Sequence, residues 1–268
     1  MRELGIPTVG ATVSPADTGF VDTAVALERL GFGALSVVGG PMHSLDQLAS
    51  VVGATERATV MSSILSVDRF AVEDVAGLYH ELEQLHPGRL VVGVGGAHGE
   101  RPLATLEGYL DRLDALGVPT ARIVLAALGP KMADLARRRA SAALPVLVTP
   151  DYTSGLRRQL GDDVGLFVSQ VVVADTDAPR ARSAARRMLG MMGQSPAYRT
   201  NWRRLGFDDD DIEQLSDALV DRLIAWGEAD AIAGRVAEQL SAGADHVALL
   251  AIGDTSPDAW AALAEHML

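Results

Sequence analysis

Short apolar runs alternate along the chain with longer amphipathic ones. The apolar runs fall at residues 4–10, 33–38, 58–64, 89–95, 122–128, 143–148, 166–174 and 246–252 and predict eight strands. Leu90-Val91-Val92-Gly93-Val94 and Gln170-Val171-Val172-Val173-Ala174 lack polar alternation, which suits strands covered on both faces of a parallel sheet. The intervening segments read as helices. Leu103, Leu106, Leu110 and Leu113 step by three and four, as do Ala229, Ile232, Ala233, Val236 and Leu240. Gly31, Gly117 and Gly243 stand where helices want a left-handed cap, and Asp177 with Pro179 has the form of an N-terminal cap.

The count decides the architecture. Eight strands alternate with helices at intervals of about 20 to 35 residues, as βαβ units require. The interval between Ala174 and His246 is much longer: it holds a helix at 178–192, an extra segment at about 194–227 and a further helix. The expected fold is α/β, a (β/α)8 TIM barrel with a helical insertion after strand seven. An open doubly wound sheet is the rival, and eight regular units favour the barrel. No linker rich in Pro, Gly or Ser divides the chain, so residues 1–268 are expected to form a single barrel domain.

Composition narrows the chemistry. The chain has 268 residues and a formal net charge of −12, which argues against nucleic acid as the main partner. It has no Cys, which excludes disulfides, thiolate zinc sites and a thiol nucleophile. Met1-Arg2-Glu3-Leu4 carries an acid at once, and no stretch approaches the roughly 20 apolar residues of a membrane span. A cytoplasmic protein without a membrane segment is expected.

In barrels, function sits at the C-terminal ends of the strands. Here these ends read Val38-Gly39-Gly40-Pro41-Met42-His43, Met61-Ser62-Ser63-Ile64, Gly93-Val94-Gly95-Gly96-Ala97-His98 and Ala126-Ala127-Leu128-Gly129-Pro130-Lys131. Glycine there lets a ligand approach the backbone, although tight turns use it as well. Gly93 to Gly99 is not a dinucleotide fingerprint: His98 takes the last glycine position, and no ribose-binding acid follows at the expected distance. Gly129-Pro130-Lys131 opens a helix whose free N–H groups would suit a phosphate, while Pro in a first turn is equally a structural habit. No H-E-x-x-H occurs and no metal site is expected; no G-x-S-x-G elbow occurs either. Asp208 to Asp211 reads as a cap and first turn. Arg137-Arg138-Arg139 and Arg186-Arg187 read as solvated helix faces.

Four stretches carry a family resemblance. They are Leu30 to Leu35, His86-Pro87-Gly88-Arg89 ahead of Val91 to Gly95, Ala126 to Met132, and Tyr198 to Phe207; the closing Ala242 to Val247 also fits. On these residues the chain resembles the luciferase-like superfamily of flavin and deazaflavin oxidoreductases, specifically its coenzyme F-420 group. The resemblance implies a barrel with a long insertion and a tricyclic ring at its mouth. It implies a cis peptide at Ser63–Ile64, pressed against the ring, and a ring lined by Gly95 and Gly96 with His98 nearby. It places Leu128, Gly129 and Lys131 at the phosphate. Gly39, Gly40, Val94 and Ala127 complete the implied coenzyme site, and His98 is the candidate proton donor or polarising group.

The implied activity is hydride transfer between coenzyme F-420 and an unknown small organic substrate. An FMN-dependent monooxygenase and a non-catalytic binding homologue are the alternatives. Apolar helix faces and family habit imply a homodimer. Two departures stand out. Relatives often carry Trp and an acid or His at the end of strand two, where this chain has Ser36 and Val38-Gly39-Gly40. After His98 only Gly99-Glu100-Arg101 precede the next helix. The pocket is then either open to a larger substrate or no longer catalytic.

Overall fold

The computed structural model describes residues 5–268; Leu4, where the first predicted strand begins, and Met1 to Glu3 lie outside them. Eight parallel strands form a closed barrel: β1 (Val9–Val13), β2 (Ala34–Val38), β3 (Thr59–Ser63), β4 (Leu90–Gly95), β5 (Ile123–Ala126), β6 (Ala142–Leu144), β7 (Gly165–Val173) and β8 (His246–Ala251). Each strand pairs with its sequence neighbours, and β8 closes the ring by pairing with both β1 and β7. The register runs Val9 opposite Val247 and His246 opposite Phe167.

Alternation sorts the side chains into two layers. Val60, Leu90, Val92, Leu125, Leu166, Val168, Val247 and Leu249 pack into the core shared with the helices. Met61, Val91, Val124, Leu144 and Phe167 form an inner core, with Ile6 and Ile64 packed against it. Both strand faces are therefore buried, which is why the strands read as unbroken apolar runs.

Two strands differ from expectation. The first starts at Val9, not residue 4. Pro7 has no N–H for a ladder, and its carbonyl accepts instead from the Nδ1–H of His246 at 2.6 Å. The sixth stops at Leu144, because Pro145 interrupts it.

The helical shell is α1 (Phe20–Arg29), α2 (Asp46–Ala54), α3 (Val72–Leu85), α4 (Pro102–Ala115), α5 (Pro130–Arg139), α6 (Pro150–Leu160), α7 (Ala178–Met192), and then, beyond the insertion, α11 (Ala229–Ser241) and α12 (Pro257–Met267). Gly31, Gly117 and Gly243 take the expected positive φ after α1, α4 and α11. Asp177 caps α7 by accepting from the Arg180 N–H. A wholly buried polar triad ties the shell to the wall. Thr153 of α6 donates to Gln239 of α11 at 2.6 Å, and Gln239 donates to Gln170 of β7 at 3.1 Å. Every donor is matched, so the triad orients the helices at no cost of unpaired polar groups.

The predicted insertion consists of α8 (Pro196–Arg204), α9 (Asp209–Gln214) and α10 (Asp217–Leu223), followed by a two-residue strand, Ala225–Trp226, on β7. Asp208 caps α9, as its spacing predicts. Trp202, Phe207, Ile212 and Leu219 form a separate core with Ala181, Ala185 and Leu189 of α7. Ion pairs reinforce it: Arg182 meets Asp221 at 2.6 Å and Asp217 at 2.9 Å. The expectation of solvated arginines fails at Arg186. It is half-buried, donates to the Leu215 carbonyl at 2.9 Å and pairs with Asp217, fastening the insertion to α7. Among the described residues, no helix is long and apolar enough to cross a membrane.

Candidate functional site at the barrel mouth

The strand ends bring the predicted residues to one face in two groups. The first is built around the end of β3. Ser63–Ile64 is a cis peptide, at the position the resemblance implied, and Leu65–Ser66 then resumes pairing with β4. The neighbouring strands make room for this bulge by lacking side chains. A Cβ on Gly39 would stand 1.7 Å from the Ile64 carbonyl oxygen, and one on Gly93 would stand 2.0 Å from that of Ser62. Gly95 is tight against Ala126 and the Ile64 side chain. These glycines are therefore required by backbone packing, whether or not a ligand approaches. Gly40 differs: it is exposed, and a Cβ there would meet nothing within 4 Å.

Side chains after the bulge lock three loops together. Arg69 donates to the Gly40 carbonyl at 2.7 Å and also to that of Met42. Ser66 donates to the Gly96 carbonyl at 3.1 Å. Asp68 accepts from the His98 backbone N–H at 2.9 Å and contacts His98 Nδ1 at 3.0 Å. His98 itself is exposed, with α4 starting four residues later, so no long loop covers it.

The second group faces it from β5 and β6. Gly129 precedes α5 without a side-chain cap, and the first helical bond is from the Ala133 N–H to the Gly129 carbonyl at 2.9 Å. Pro130 has no N–H, so the amides of Lys131 and Met132 are the open donors of that helix end. The Lys131 side chain is exposed and has no ion-pair partner among the described residues. The sequence reading missed a second cation. Arg204, at the end of α8, reaches over this helix start: a Cβ on Gly129 would meet its Nη1 at 3.2 Å. Arg204 makes no salt bridge or side-chain hydrogen bond within the described residues, unlike its neighbour Arg203, which pairs with Asp209. Tyr152, in the first turn of α6, lies within the field of Arg204. Burial pushes its phenol up to about 12, with the arginine charge opposing that rise. Leu128 is half-buried here. Val94 and Ala127 turn their side chains into the barrel–helix core, so only their backbone is left to serve a ligand.

Some buried polar atoms have no partner within the chain. Thr12 Oγ1 on β1 and both amide atoms of Asn201, one turn before Arg204 on α8, are buried and unbonded, as is Trp202 Nε1. Buried groups of this kind are normally paired. A cleft of about 490 Å³ also opens beside the ends of β7 and β8. It is lined by three carboxylates, Asp175, Glu228 and Asp254, against one guanidinium, Arg180. That balance disfavours an anion, whereas Lys131, Arg204 and the α5 terminus favour one. Among the described residues, no group of His, Asp and Glu is placed to hold a metal ion.

No protein-family model matches this chain, and no curated protein matches it in sequence. Solved structures do match in shape. The coenzyme F-420-dependent tetrahydromethanopterin reductase from Methanopyrus kandleri superposes with a TM-score of 0.80 at 13% identity, over 98% of each chain. An F-420-dependent secondary alcohol dehydrogenase, solved with an F-420–acetone adduct, gives 0.80 at 14% identity, again over 98% of each. The oxygenating constituent of 3,6-diketocamphane monooxygenase from the CAM plasmid of Pseudomonas putida, in complex with FMN, gives 0.68 at 12% identity, covering 98% of this chain and 99% of that one. Over nearly its whole length, then, the chain has the barrel fold of these two F-420-dependent enzymes and of this FMN-binding monooxygenase component.

Proposed function

We propose that the protein is a deazaflavin-dependent oxidoreductase of the luciferase-like superfamily, acting on a small organic substrate. The observation that carries this reading is the α5 terminus. Two open backbone donors and the otherwise unpaired Arg204 guanidinium meet at Gly129, with the exposed Lys131 next but one in the chain, a combination that suits an anion. The residues fit the coenzyme: the open α5 amides, Arg204 and Lys131 suit a phosphate, and of the glycines beside Ser63 and Ile64, which also include Gly39, Gly95 and Gly96, Gly40 leaves its backbone open to a flat ring. Such a ring supplies hydride transfer when bound.

The chain's part is to hold and orient. Arg204 and the α5 amides fix the charged end. The loops tied by Arg69, Ser66 and Asp68 keep the wall rigid, so the ring meets a preformed surface. His98 provides the polar group at the rim.

Fluorescence titrations with coenzyme F-420 and with FMN test the proposal. Saturable binding of the deazaflavin in preference to FMN is expected. Arg204→Ala should weaken it on the order of ten- to a hundredfold, the worth of one hydrogen bond to a charged group, while the melting temperature holds. Preference for FMN makes the protein a flavin monooxygenase. Binding of neither refutes the reading. Coenzyme binding without turnover of any substrate leaves the non-catalytic homologue.

A further inference from the structure

The Asp68–His98 contact has a direction. An ionised carboxylate can only accept hydrogen bonds. Asp68 Oδ2 lies 3.0 Å from His98 Nδ1 and 2.9 Å from the His98 backbone nitrogen, so both nitrogens donate to the same oxygen. In a neutral imidazole the second ring nitrogen must then carry the lone pair. Asp68 is itself held in a turn: the N–H groups of Arg69 and Phe70 both donate to the Ser66 carbonyl, at 3.0 and 3.1 Å. Tyr109 of α4 secures the end of that turn by donating to the Phe70 carbonyl at 3.1 Å. The adjacent Arg69 guanidinium is directed to the Gly40 and Met42 carbonyls, away from the pair. The remaining charged residues of the His98 loop, Glu100 and Arg101, make no side-chain bond to either partner.

We infer that Asp68 is a positioning residue that presents His98 Nε2 to the mouth as a hydrogen-bond acceptor. The group that His98 serves is therefore an O–H or N–H on the bound molecule, not a bare carbonyl. This rests on the mouth being the binding site proposed above, and it reverses the expectation of a proton donor at neutral imidazole.

The test is nitrogen NMR of the full chain labelled with ¹⁵N-histidine, at a pH where the imidazole is neutral, with His98→Gln assigning the signals. Protonated Nδ1 and bare Nε2 are expected. Asp68→Asn should keep that tautomer, because its amide oxygen still accepts, whereas Asp68→Ala should lose it. An Nε2–H tautomer in the parent protein, or an unchanged tautomer in Asp68→Ala, overturns the inference. These spectra need no coenzyme, so a protein that binds neither F-420 nor FMN can refute the proposed function while leaving the tautomer result standing. In the coenzyme-loaded protein, short secondary alcohols should shift the Nε2 signal and their methyl ethers should not. An equal response to both, or to neither, overturns the assigned ligand class.

Discussion

Replacing Gly39 by Ala adds one methyl group at a site with no room for it. The new Cβ would stand 1.7 Å from the Ile64 oxygen and 2.6 Å from the Ile64 carbon. Ordinary contact begins near 3.4 Å, and the obstacles are backbone atoms, not the tip of a side chain that could swing away. Relief therefore requires β2 and the β3 bulge to separate, which breaks the Gly39 N–H to Ser63 carbonyl bond of 3.2 Å. Overpacking of a rigid core costs about 1–3 kcal/mol, and backbone clashes sit at the upper end of that range. For a chain of this size a loss of about 3 kcal/mol lowers the melting temperature by roughly 6–12 °C. Gly40→Ala is the internal control: it meets nothing within 4 Å, so its effect should stay within about 0.5 kcal/mol. Calorimetry or circular dichroism melts of both variants decide the matter. Equal melting of the two would refute the claim that glycine is enforced at 39 by the bulge.

Further predictions concern charge. His246 is wholly buried, and burial holds its imidazole down to about 4 despite the bond to Pro7. The unfolded chain takes up the proton near pH 6.5 and the native state only near 4, so stability should fall through that window as pH drops, by on the order of 3 kcal/mol in all. Urea midpoints at pH 7 and 4.5 measure it, and His246→Gln, at whatever absolute stability, should flatten the dependence; an equal fall in both proteins would rule it out. Arg157 and Asp245 form a largely buried pair that also serves the Gly243 carbonyl and the Leu166 N–H. Removing one partner with Asp245→Ala should cost about 3–5 kcal/mol by chemical denaturation. Glu28 accepts from three successive N–H groups, those of Glu56, Arg57 and Ala58, ahead of β3. Glu28→Ala should cost about 1–3 kcal/mol with coenzyme affinity unchanged, because those amides lie at the opposite end of the strand from the mouth.

The fold was legible because a barrel strand buries both faces and a shell helix buries one, and these leave different periods in the sequence. The first strand begins later than its apolar run, at Val9, because Pro7 within that run cannot donate to a ladder. The strand-end glycines were visible, but their cause was not: Gly39 and Gly93 answer to backbone atoms of β3, a neighbour that periodicity does not reveal. Asp68 lies 30 residues from His98, and Arg204 belongs to a different excursion of the chain from Gly129. Such partners meet only when the barrel closes. For Arg204, a weak signal existed in its place within the Tyr198 to Phe207 stretch. For Asp68, the sequence held none.

The buried Thr153–Gln239–Gln170 triad bears on how this molecule can change over time. It pins α11 to β7 and α6, and its Gln170 also donates to the Leu223 carbonyl at the end of α10, at 3.2 Å. The end of the insertion, α10, is thereby fastened to the barrel wall, while α8 and α9 lie ahead of that anchor. Lengthening, shortening or exchanging the chain ahead of α10 alters what overhangs the mouth while leaving that anchor in place. A barrel built this way separates the part that must stay constant from the part that can be remodelled for a new ligand, and the α8–α9 stretch is where such innovation is least expensive.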